Sequence, residues 1–464
     1  MSELRKPLPL YEKAIRWIKI YGDPLTIWIG NRPIVICSTK ESFKDIAGPL
    51  RNILGGRMQS NLGDLQKRGF EDVLFSDFSP AWDVLRRVAH VAMRKYAKSE
   101  KLAQLTALRV DVETNDLFST AKCTKDKNGN PVAIGGATEF IENIMTSVIA
   151  VSAFGAGFER DNPDFETLRK LALIFETEAP NGLPSDVMPI LGWIFFRQEN
   201  LVRKTIETFT SLTDRWFEAA KKSHQPGDTR HFTDALLNAR DEFLADNRDS
   251  AKYLIDNNLR QAVFDIFGAG IGTTKTILTY CFLHLANEPN IQDELRDEIV
   301  QAIGHTAVCS STDRRALPKT TAFIQEVIRY HPAAPLALPR TALADVTINN
   351  RFIPKGTNVL INLYANNRDP DIWGQDATEF RPNRFLTASK EQLSLGLTSF
   401  GIGARSCPGE KMAQADILYV VVRTLQNVRL SCIDGPGTAD MESINSDILL
   451  DAKRQNMVFT RVPV

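Results

Sequence analysis

The sequence predicts an α-rich α+β protein, and three observations support this fold class. Two short apolar stretches, residues 25–29 and 34–37, flank Gly30-Asn31-Arg32-Pro33, which is typical of a hairpin of two strands. Most of the remaining chain has the apolar spacing of helices. One segment, residues 254–287, is long, largely apolar and helical in pattern. Early strands followed by mostly helical sequence indicate a mainly α protein with small sheets.

The remaining elements follow from the same patterns in chain order. Predicted helices cover residues 10–20, 82–96, 139–156, 164–178, 197–222, 254–287 and 410–418. Predicted later strands cover residues 335–340, 359–363 and 457–462. Glycines or polar residues indicate loops at 55–76, 122–131 and 223–231, and prolines interrupt residues 181–196.

Length and composition are compatible with one large domain, residues 1–464. Hydrophobic residues make up 43% of the chain, and 56 basic residues balance 56 acidic ones. Zero net charge argues against a nucleic-acid-binding protein. Scattered cysteines without a Cys-x-x-Cys pair indicate a reducing compartment and exclude a disulfide framework or zinc module. These cysteines are Cys37, Cys123, Cys281, Cys309, Cys407 and Cys432.

No stretch of the sequence is expected to cross a bilayer, and no signal peptide is recognised. The most apolar short run, residues 189–196, is much shorter than a membrane-spanning helix. The pattern therefore predicts a globular enzyme-sized protein.

The segment Phe-Gly-Ile-Gly-Ala-Arg-Ser-Cys-Pro-Gly, residues 400–409, carries most of the chemical information. Its glycines let the backbone approach a flat ligand closely. A helix is predicted to follow, with Pro408 at its first position and Cys407 at about the N-cap. Backbone N–H groups, the helix dipole and Arg405 would then favour the metal-binding thiolate of Cys407. The alternative is a small buried cysteine beside an ordinary glycine-rich turn.

Residues 268–274, Gly-Ala-Gly-Ile-Gly-Thr-Thr, lie inside the long predicted helix. Each interior glycine costs about 1 kcal/mol relative to alanine, so three of them require a structural or functional reason. Close approach of a ligand is one reason, and packing against another helix is the alternative.

Two pairs of side chains are predicted to share helical faces. Trp82 and Arg86 are four residues apart, and the alternative to a joint role is a packed tryptophan on an exposed basic face. Glu326 and Arg329 are three residues apart, a spacing that usually gives a surface ion pair of little energetic value. Here the pair lies between the apolar residues Ile324, Val327 and Ile328.

The pattern Phe-x-x-Gly-x-Arg-x-Cys-x-Gly resembles the haem-binding loop of the cytochrome P450 family; it is formed by Phe400, Gly403, Arg405, Cys407 and Gly409. The resemblance implies the cytochrome P450 fold, with a long central helix over the haem and small β-sheets at one side. It makes Cys407 the axial thiolate ligand of the iron, which favours O–O cleavage. It also implies that Arg405 pairs with a haem propionate and that Phe400 packs beneath the porphyrin.

The long helix also resembles its counterpart in the family. Ala269, Gly270, Thr273 and Thr274 match the oxygen-binding pattern Ala/Gly-Gly-x-Asp/Glu-Thr-Thr/Ser, whereas Gly272 stands in place of the acid. The resemblance implies that Thr273, Gly272 and Thr274 form the catalytic stretch of this helix.

The same resemblance implies roles for three further groups of residues. The haem-binding residues would include Trp82, Arg86, Ala269, Gly270 and Arg340. A structural triad would consist of Glu326, Arg329 and Arg384. The substrate pocket would be lined by Phe264, Ala269, Leu336 and Ala337.

The implied function is that of a haem-thiolate monooxygenase containing haem b (iron-protoporphyrin IX). It would insert one oxygen of O2 into a small apolar substrate, with electrons from NADPH through a partner reductase and cytochrome b5 as a further donor. The sequence around residues 79–82 and 265–270 is most similar to the steroid 17α-hydroxylase/17,20-lyase group, which implies a steroid or another lipid as substrate. An acidic electron donor would dock on Arg87, Arg94, Lys95 and Lys98.

The resemblance to animal microsomal members also implies a place in the cell. Residues 186–196 would touch a membrane surface, at the cytoplasmic face of the endoplasmic reticulum. The anchor that precedes the catalytic domain in those relatives is missing here, so the chain as given is expected to be soluble.

Two alternative functions remain open at the level of the sequence. A haem-thiolate isomerase or dehydratase would act on peroxides without a reductase; the missing acid at Gly272 favours it and Thr273 argues against it. A haem-based sensor or binding protein would show no turnover.

Overall fold

A computed structural model describes residues 8–30, 32–120, 123–155, 162–178, 182–444 and 449–463, with the backbone alone at 175, 176, 187 and 189. The α-helices of this part are α1 (Leu10–Tyr21), α2 (Lys40–Ala47), α3 (Asn61–Lys67), α4 (Pro80–Tyr96), α5 (Glu100–Thr120), α6 (Ala137–Phe154), α7 (Pro163–Glu178), α8 (Pro184–Val187), α9 (Pro189–Ile194), α10 (Phe196–Lys222), α11 (Phe232–Asp246), α12 (Asp256–Asn287), α13 (Pro289–Ile303), α14 (Pro318–Tyr330), α15 (Leu363–Asn366), α16 (Pro370–Trp373), α17 (Arg384–Thr387), α18 (Lys390–Gly396) and α19 (Glu410–Asn427).

The strands form small sheets beside these helices. They are β1 (Leu25–Ile29), β2 (Arg32–Cys37), β3 (Gly56–Arg57), β4 (Thr124–Lys125), β5 (Pro131–Gly136), β6 (Arg340–Thr341), β7 (Val346–Ile348), β8 (Arg351–Ile353), β9 (Asn358–Ile361), β10 (Val428–Ser431) and β11 (Asn456–Arg461). One sheet has the order β1-β2-β9-β6-β3, a second the order β10-β11-β5-β4, and β7 pairs with β8. The predicted mainly α, α+β class is therefore confirmed.

Helix α12 forms the centre of the helical core. It packs against α4, α6, α10, α13, α14 and α19, and most of its residues from 274 to 286 are buried. The helix continues unbroken through its glycines. A Cβ at Gly270 would lie 3.4 Å from Ile149 of α6, so this glycine serves helix–helix packing. Helix–helix packing is therefore the reason for Gly270. It does not account for Gly272, where a Cβ would meet no atom within 4 Å.

The prediction that no stretch could cross a bilayer needs one correction. Among the described residues, α12 is the helix with the length and apolar composition to span a membrane. Its apolar part is 61% buried against other elements, as in the core helix of a globular protein. Long apolar helices occur in both settings, because a core surrounded by helices is as apolar as a bilayer.

Several element boundaries differ from the prediction. Residues 335–339 lie in turns, and the strand begins only at Arg340. Residues 124–125 and 131–136 form a β-hairpin where a loop was predicted, since β5 finds its partner in the distant strand β11. Residue 363 begins helix α15 rather than ending a strand, because the Asn362 side chain caps that helix.

Candidate active site

Cys407 lies in the turn before α19, three residues ahead of the first helical residue. The N-cap of α19 is Gly409, so the prediction of Cys407 as N-cap and Pro408 as first helical residue is wrong. The turn is stabilised by a hydrogen bond from the Cys407 N–H to the Phe400 carbonyl, 2.6 Å long. The backbone N–H groups of Gly409 and Glu410 lie near enough to lower the pKa of the Cys407 thiol. The turn between Cys407 and α19 therefore places backbone N–H groups from the start of that helix near the thiol.

The electrostatics of Cys407 also differ from the expectation of a lowered pKa. Burial raises the pKa of the Cys407 thiol, and it outweighs the lowering by the Gly409 and Glu410 N–H groups and by the Arg86 charge. The side chain is nevertheless exposed, so surrounding protein leaves one side of the sulfur open. A cation at that open side would offset the desolvation and hold the thiolate form.

Four arginines converge near this turn: Arg57, Arg86, Arg340 and Arg405. Register in the first sheet places Arg57 of β3 directly opposite Arg340 of β6. The Arg86 guanidinium donates to the Ser406 carbonyl, and the Arg340 guanidinium donates to the Ile402 carbonyl at 2.7 Å. Like charges opposite each other destabilise a strand pair, so this arrangement requires compensation from elsewhere.

Trp82 supports the Arg405 and Arg86 side chains. The Arg405 guanidinium lies 4.0 Å from the Trp82 ring centroid and donates to the Gly55 carbonyl at 2.8 Å. The Arg86 guanidinium lies 5.2 Å from the same ring. The Trp82 indole N–H donates to the Val73 carbonyl at 3.0 Å. The tryptophan is thus packed between two cations, whereas the sequence predicted only that Trp82 and Arg86 share a helical face.

The four guanidiniums are short of negative partners. Burial, followed by the charges of Arg57 and Arg340, lowers the pKa of Arg405 to about 8. Burial, followed by the charges of Arg57 and Arg86, lowers the pKa of Arg340 to about 9. The Nε and Nη1 atoms of Arg340 are buried and have no hydrogen-bond partner among the described residues. A bound anion would supply the missing acceptors.

This donor set fits haem. Two propionates would satisfy the cluster of guanidiniums, and Cys407 would supply a soft ligand to the iron. Glycine at 403 has a positive φ of 66°, and a Cβ there would lie 3.0 Å from the Ile46 carbonyl oxygen. The loop can therefore adopt this path only with a bare backbone.

Arg57 is a member of the cluster that reasoning from the sequence missed. It follows two glycines in a segment predicted as a loop, without a helical or strand pattern around it. Its Nε donates to the Leu74 carbonyl at 2.8 Å, and burial lowers its pKa to about 10. Only the pairing of β3 with β6 brings it to Arg340, so no local signal could have identified it.

The middle of α12 presents an open face. Ala269 is exposed although the helix on both sides is largely buried. The Thr273 hydroxyl donates to the Ala269 carbonyl at 2.9 Å. A Cβ at Gly272 would meet no atom within 4 Å, so this position faces open space rather than another helix. Thr274, by contrast, is buried.

Asp265 is the nearest preceding carboxylate on α12, and it is already engaged. It accepts hydrogen bonds from the Val73 N–H at 2.8 Å and the Leu74 N–H at 3.3 Å. Burial, followed by the charge of Asp72, raises the pKa of Asp265 well above its usual range. It lies eight residues from Thr273, or about 12 Å along a helix axis. Asp265 therefore joins the 73–74 segment to α12 and lies far from the Thr273 hydroxyl.

Glu326, Arg329 and Arg384 form one buried network. The two Glu326 oxygens accept from Arg329 at 2.7 and 2.8 Å, and one of them also accepts from Arg384 at 3.1 Å. Arg329 also donates to the carbonyls of Asn367 and Ala377 at 2.6 and 2.7 Å. These bonds fix α14 against the segment that leads to residue 400.

The residues predicted to line a substrate pocket differ in how far they are buried. Phe264 and Leu336 are buried, whereas Ala269 is exposed. The Phe264 ring meets Phe209 of α10 edge-on, with centroids 4.9 Å apart. Ala337 is half-buried with a φ of 50°, a left-handed conformation that costs a residue with a side chain about 1 kcal/mol.

Comparisons with known proteins identify the family of this chain. The steroid 17-alpha-hydroxylase/17,20 lyase of Gallus gallus is 29% identical over 419 residues, which cover 89% of this chain and 80% of that protein. Cytochrome P450 1A1 of Rattus norvegicus is 28% identical over 428 residues, covering 89% of this chain and 79% of that protein.

A solved structure of a zebra fish cytochrome P450 with progesterone superposes with a TM-score of 0.83. It covers 98% of this chain and 100% of that chain at 24% identity, which shows the common fold. The family model described as Cytochrome P450 matches residues 4–459. The chain therefore belongs to the cytochrome P450 family, and it is a haem-dependent monooxygenase of that family.

Proposed function

We propose that this chain forms a single catalytic domain, residues 1–464, that inserts one oxygen of O2 into a small apolar substrate with electrons from NADPH. The observation that carries the proposal is the convergence of four under-compensated guanidiniums on the turn of Cys407, whose thiol is open on one side. Haem b, when bound there, supplies the redox chemistry of oxygen activation.

Each group of residues has a distinct task in this proposal. Cys407 ligates the iron, while Arg57, Arg86, Arg340 and Arg405 hold the propionates. The exposed stretch around Ala269 leaves room for substrate and water. The Thr273 hydroxyl is held on the helix by the Ala269 carbonyl and can donate or accept a proton through water at Gly272.

The proposed substrate is a steroid or another lipid. The Gallus gallus relative carries the steroid 17-alpha-hydroxylase/17,20 lyase name, and the zebra fish structure contains progesterone. The aromatic side chains of Phe209 and Phe264 beside Gly268 supply an apolar wall on the α10 side. Binding spectra against a panel of steroids and lipids test this assignment.

The proposed electron donor is an NADPH-dependent reductase that docks on the exposed face of α4, with cytochrome b5 as a further donor. Arg87, Arg94, Lys95 and Lys98 are all exposed. Arg87 pairs with Asp83 at 2.5 Å and Lys95 with Glu242 at 2.6 Å, so these two charges are partly neutralised. Reversal of Arg94 and Lys98 should therefore slow reduction more than reversal of Arg87 and Lys95, and added salt should reduce the difference.

The proposed location is the cytoplasmic face of the endoplasmic reticulum membrane, with residues 186–196 as a contact to lipid. Ile190, Trp193, Ile194, Phe195 and Phe196 are exposed, and Trp193 is 82% exposed. Contiguous exposed apolar side chains of this kind are typical of interfacial docking. The side chains at 187 and 189 lie outside the described residues. Vesicle flotation of the parent and a Trp193→Ser variant tests the contact.

The central experiment is the spectrum of the reduced carbon-monoxide complex. Cys407→Ser should abolish the thiolate-type spectrum, whereas Cys123→Ser, which removes another exposed cysteine, should leave it intact. An unchanged spectrum in Cys407→Ser contradicts the assignment of the ligand.

A second candidate function is a haem-thiolate isomerase or dehydratase that consumes peroxides. The open space at Gly272 favours it, since such a reaction requires no proton relay. Turnover with NADPH and reductase, compared with turnover on added organic peroxide, distinguishes the two functions. Oxygenation that depends on NADPH supports the monooxygenase, and peroxide rearrangement without NADPH supports the alternative.

A further inference from the structure

Lys275 is a buried cation in α12, two residues beyond Thr273. Its side chain is 2% exposed, and it is followed by buried residues through Ala286. Burying an ammonium is unfavourable unless opposite charges and hydrogen bonds compensate it. A lysine at this point of the central helix therefore requires an explanation in its partners.

Two acidic partners of Lys275 among the described residues come from other parts of the chain. Its Nζ lies 2.9 Å from an Asp451 oxygen and 3.6 Å from a Glu142 oxygen of α6. The other Asp451 oxygen accepts from the Thr276 hydroxyl at 3.0 Å. Arg454 donates to both Glu142 oxygens, at 2.6 and 3.0 Å. Two cations thus face two carboxylates, and the network joins α12, α6 and the segment before β11.

Asp451 extends this network toward the candidate active site. The preceding residue, Leu450, is buried and its N–H donates to the Ala333 carbonyl at 2.9 Å. Residues 333–340 run from that contact through Leu336 to Arg340 of the guanidinium cluster. A short chain of direct contacts therefore connects the α12 turn after Thr273 with the segment that carries Arg340.

We propose that Lys275 is a positioning residue, whose ion pair with Asp451 holds the α12 turn of Thr273 in register with residues 333–340. This inference rests on the proposed function, because it assigns Thr273 to one side of the oxygenase site and Arg340 to the other. The Lys275–Asp451 ion pair and the Thr276–Asp451 hydrogen bond are directional, whereas apolar packing is not. Two methyl-terminated side chains could fill the same space but would not fix one relative position of the two segments.

The test separates positioning from stability with the haem-loaded protein. Lys275→Met leaves the half-buried Asp451 without its cation, so the double variant Lys275→Met/Asp451→Leu removes both charges and leaves the Glu142–Arg454 pair intact. The matched control is Lys453→Met, because Lys453 is in the same segment but forms exposed ion pairs with Asp440 and Glu442, both at 2.8 Å. The measurements are melting temperature, hydrogen exchange of residues 333–340 and the dissociation constant of imidazole as an iron-ligand probe.

The double variant should melt near the parent temperature because, within the part of the chain that the structure describes, it leaves no buried charge without an opposite charge. Its amide exchange over residues 333–340 should nevertheless be about tenfold faster, since local opening there loses its anchor. Its imidazole dissociation constant should change by roughly threefold or more, while Lys453→Met matches the parent in both measurements.

Parent-like exchange and imidazole binding in the double variant would overturn the proposal and leave Lys275 with a purely structural charge. The proposed function is judged separately. If the parent lacks the thiolate-type carbon-monoxide spectrum, the oxygenase assignment fails. Hydrogen exchange still decides whether Lys275 positions residues 333–340.

Discussion

Two groups of buried arginines in this protein are compensated in opposite ways. Arg329 and Arg384 share the carboxylate of Glu326 and donate their remaining N–H groups to backbone carbonyls. Arg340 and Arg405 face backbone carbonyls and other guanidiniums, and two nitrogens of Arg340 find no hydrogen-bond partner in the described part of the chain. The first group is complete within the protein, whereas the second is not.

The difference separates a structural site from a binding site. A buried charge without a counter-charge lowers stability, so an incomplete group persists only if its ligand adds the missing partner. The Glu326 network holds α14 to the segment leading to residue 400 whether or not haem is bound. The arginines around Cys407 reach full compensation only with an anion, which couples the stability of that region to haem.

Breaking the complete group should have the largest effect. Glu326→Gln leaves Arg329 and Arg384 buried without a carboxylate between them, which should cost about 3–5 kcal/mol of unfolding free energy with or without haem. Chemical denaturation of both forms measures it. The control is Asp376→Asn, because Asp376 bonds Arg384 near the surface and should cost much less. Equal losses in the two variants would contradict the distinction.

Asp416 tests the same rule, that an uncompensated buried charge lowers stability, with a negative group instead of a positive one. Both Asp416 oxygens in α19 are buried and no described residue donates a hydrogen bond to them, and burial raises the pKa of Asp416 to about 8. Between an unfolded pKa near ~4 and this value, the folded state retains a proton that the unfolded state releases, so stability should fall by about 1.4 kcal/mol per pH unit as pH rises.

Asp416→Asn should remove that slope between about pH 5 and 8, which stability measurements across pH would show. Asp434→Asn serves as the control, because Asp434 is exposed. A slope that survives in Asp416→Asn would place the responsible proton on another group.

Removing an arginine from the group around Cys407 should lower haem affinity more than it lowers the stability of the fold. Arg340→Met relieves the repulsion with Arg57, so the haem-free protein should be no less stable than the parent. Haem affinity should fall by about tenfold, since one charge-assisted contact to the propionates is lost. Haem transfer to an acceptor protein measures the affinity. Arg384→Met is the matched control and should show the reverse, a less stable fold without a selective loss of haem.

The smallest expected effect concerns the efficiency of oxygen use at Gly272. Because Gly272 cannot relay a proton and Asp265 is held by residues 73 and 74, the parent should release much hydrogen peroxide per NADPH consumed. Gly272→Glu should reduce that ratio by roughly twofold or more by supplying an acid beside Thr273. Thr273→Ala should raise it. A parent that releases little peroxide, or a Gly272→Glu variant without improvement, would show that another group carries the proton.

The sequence alone determined the features that depend on local spacing. The glycine-rich turn of Cys407, the long helix with glycines in its middle, and the shared helical face of Glu326 and Arg329 all follow from residues a few positions apart. Helical faces and turns are set by neighbouring residues, so such patterns identify them without a partner from elsewhere.

Only the tertiary structure decided which distant groups meet. Arg57 reaches Arg340 through the pairing of β3 with β6, and Asp265 is occupied by the 73–74 backbone rather than free near Thr273. The pKa of Cys407 is raised because packing desolvates the thiol more than its N–H donors and Arg86 stabilise the thiolate. Burial and cross-strand pairing depend on the whole chain, and that is why no local pattern around these residues could predict them.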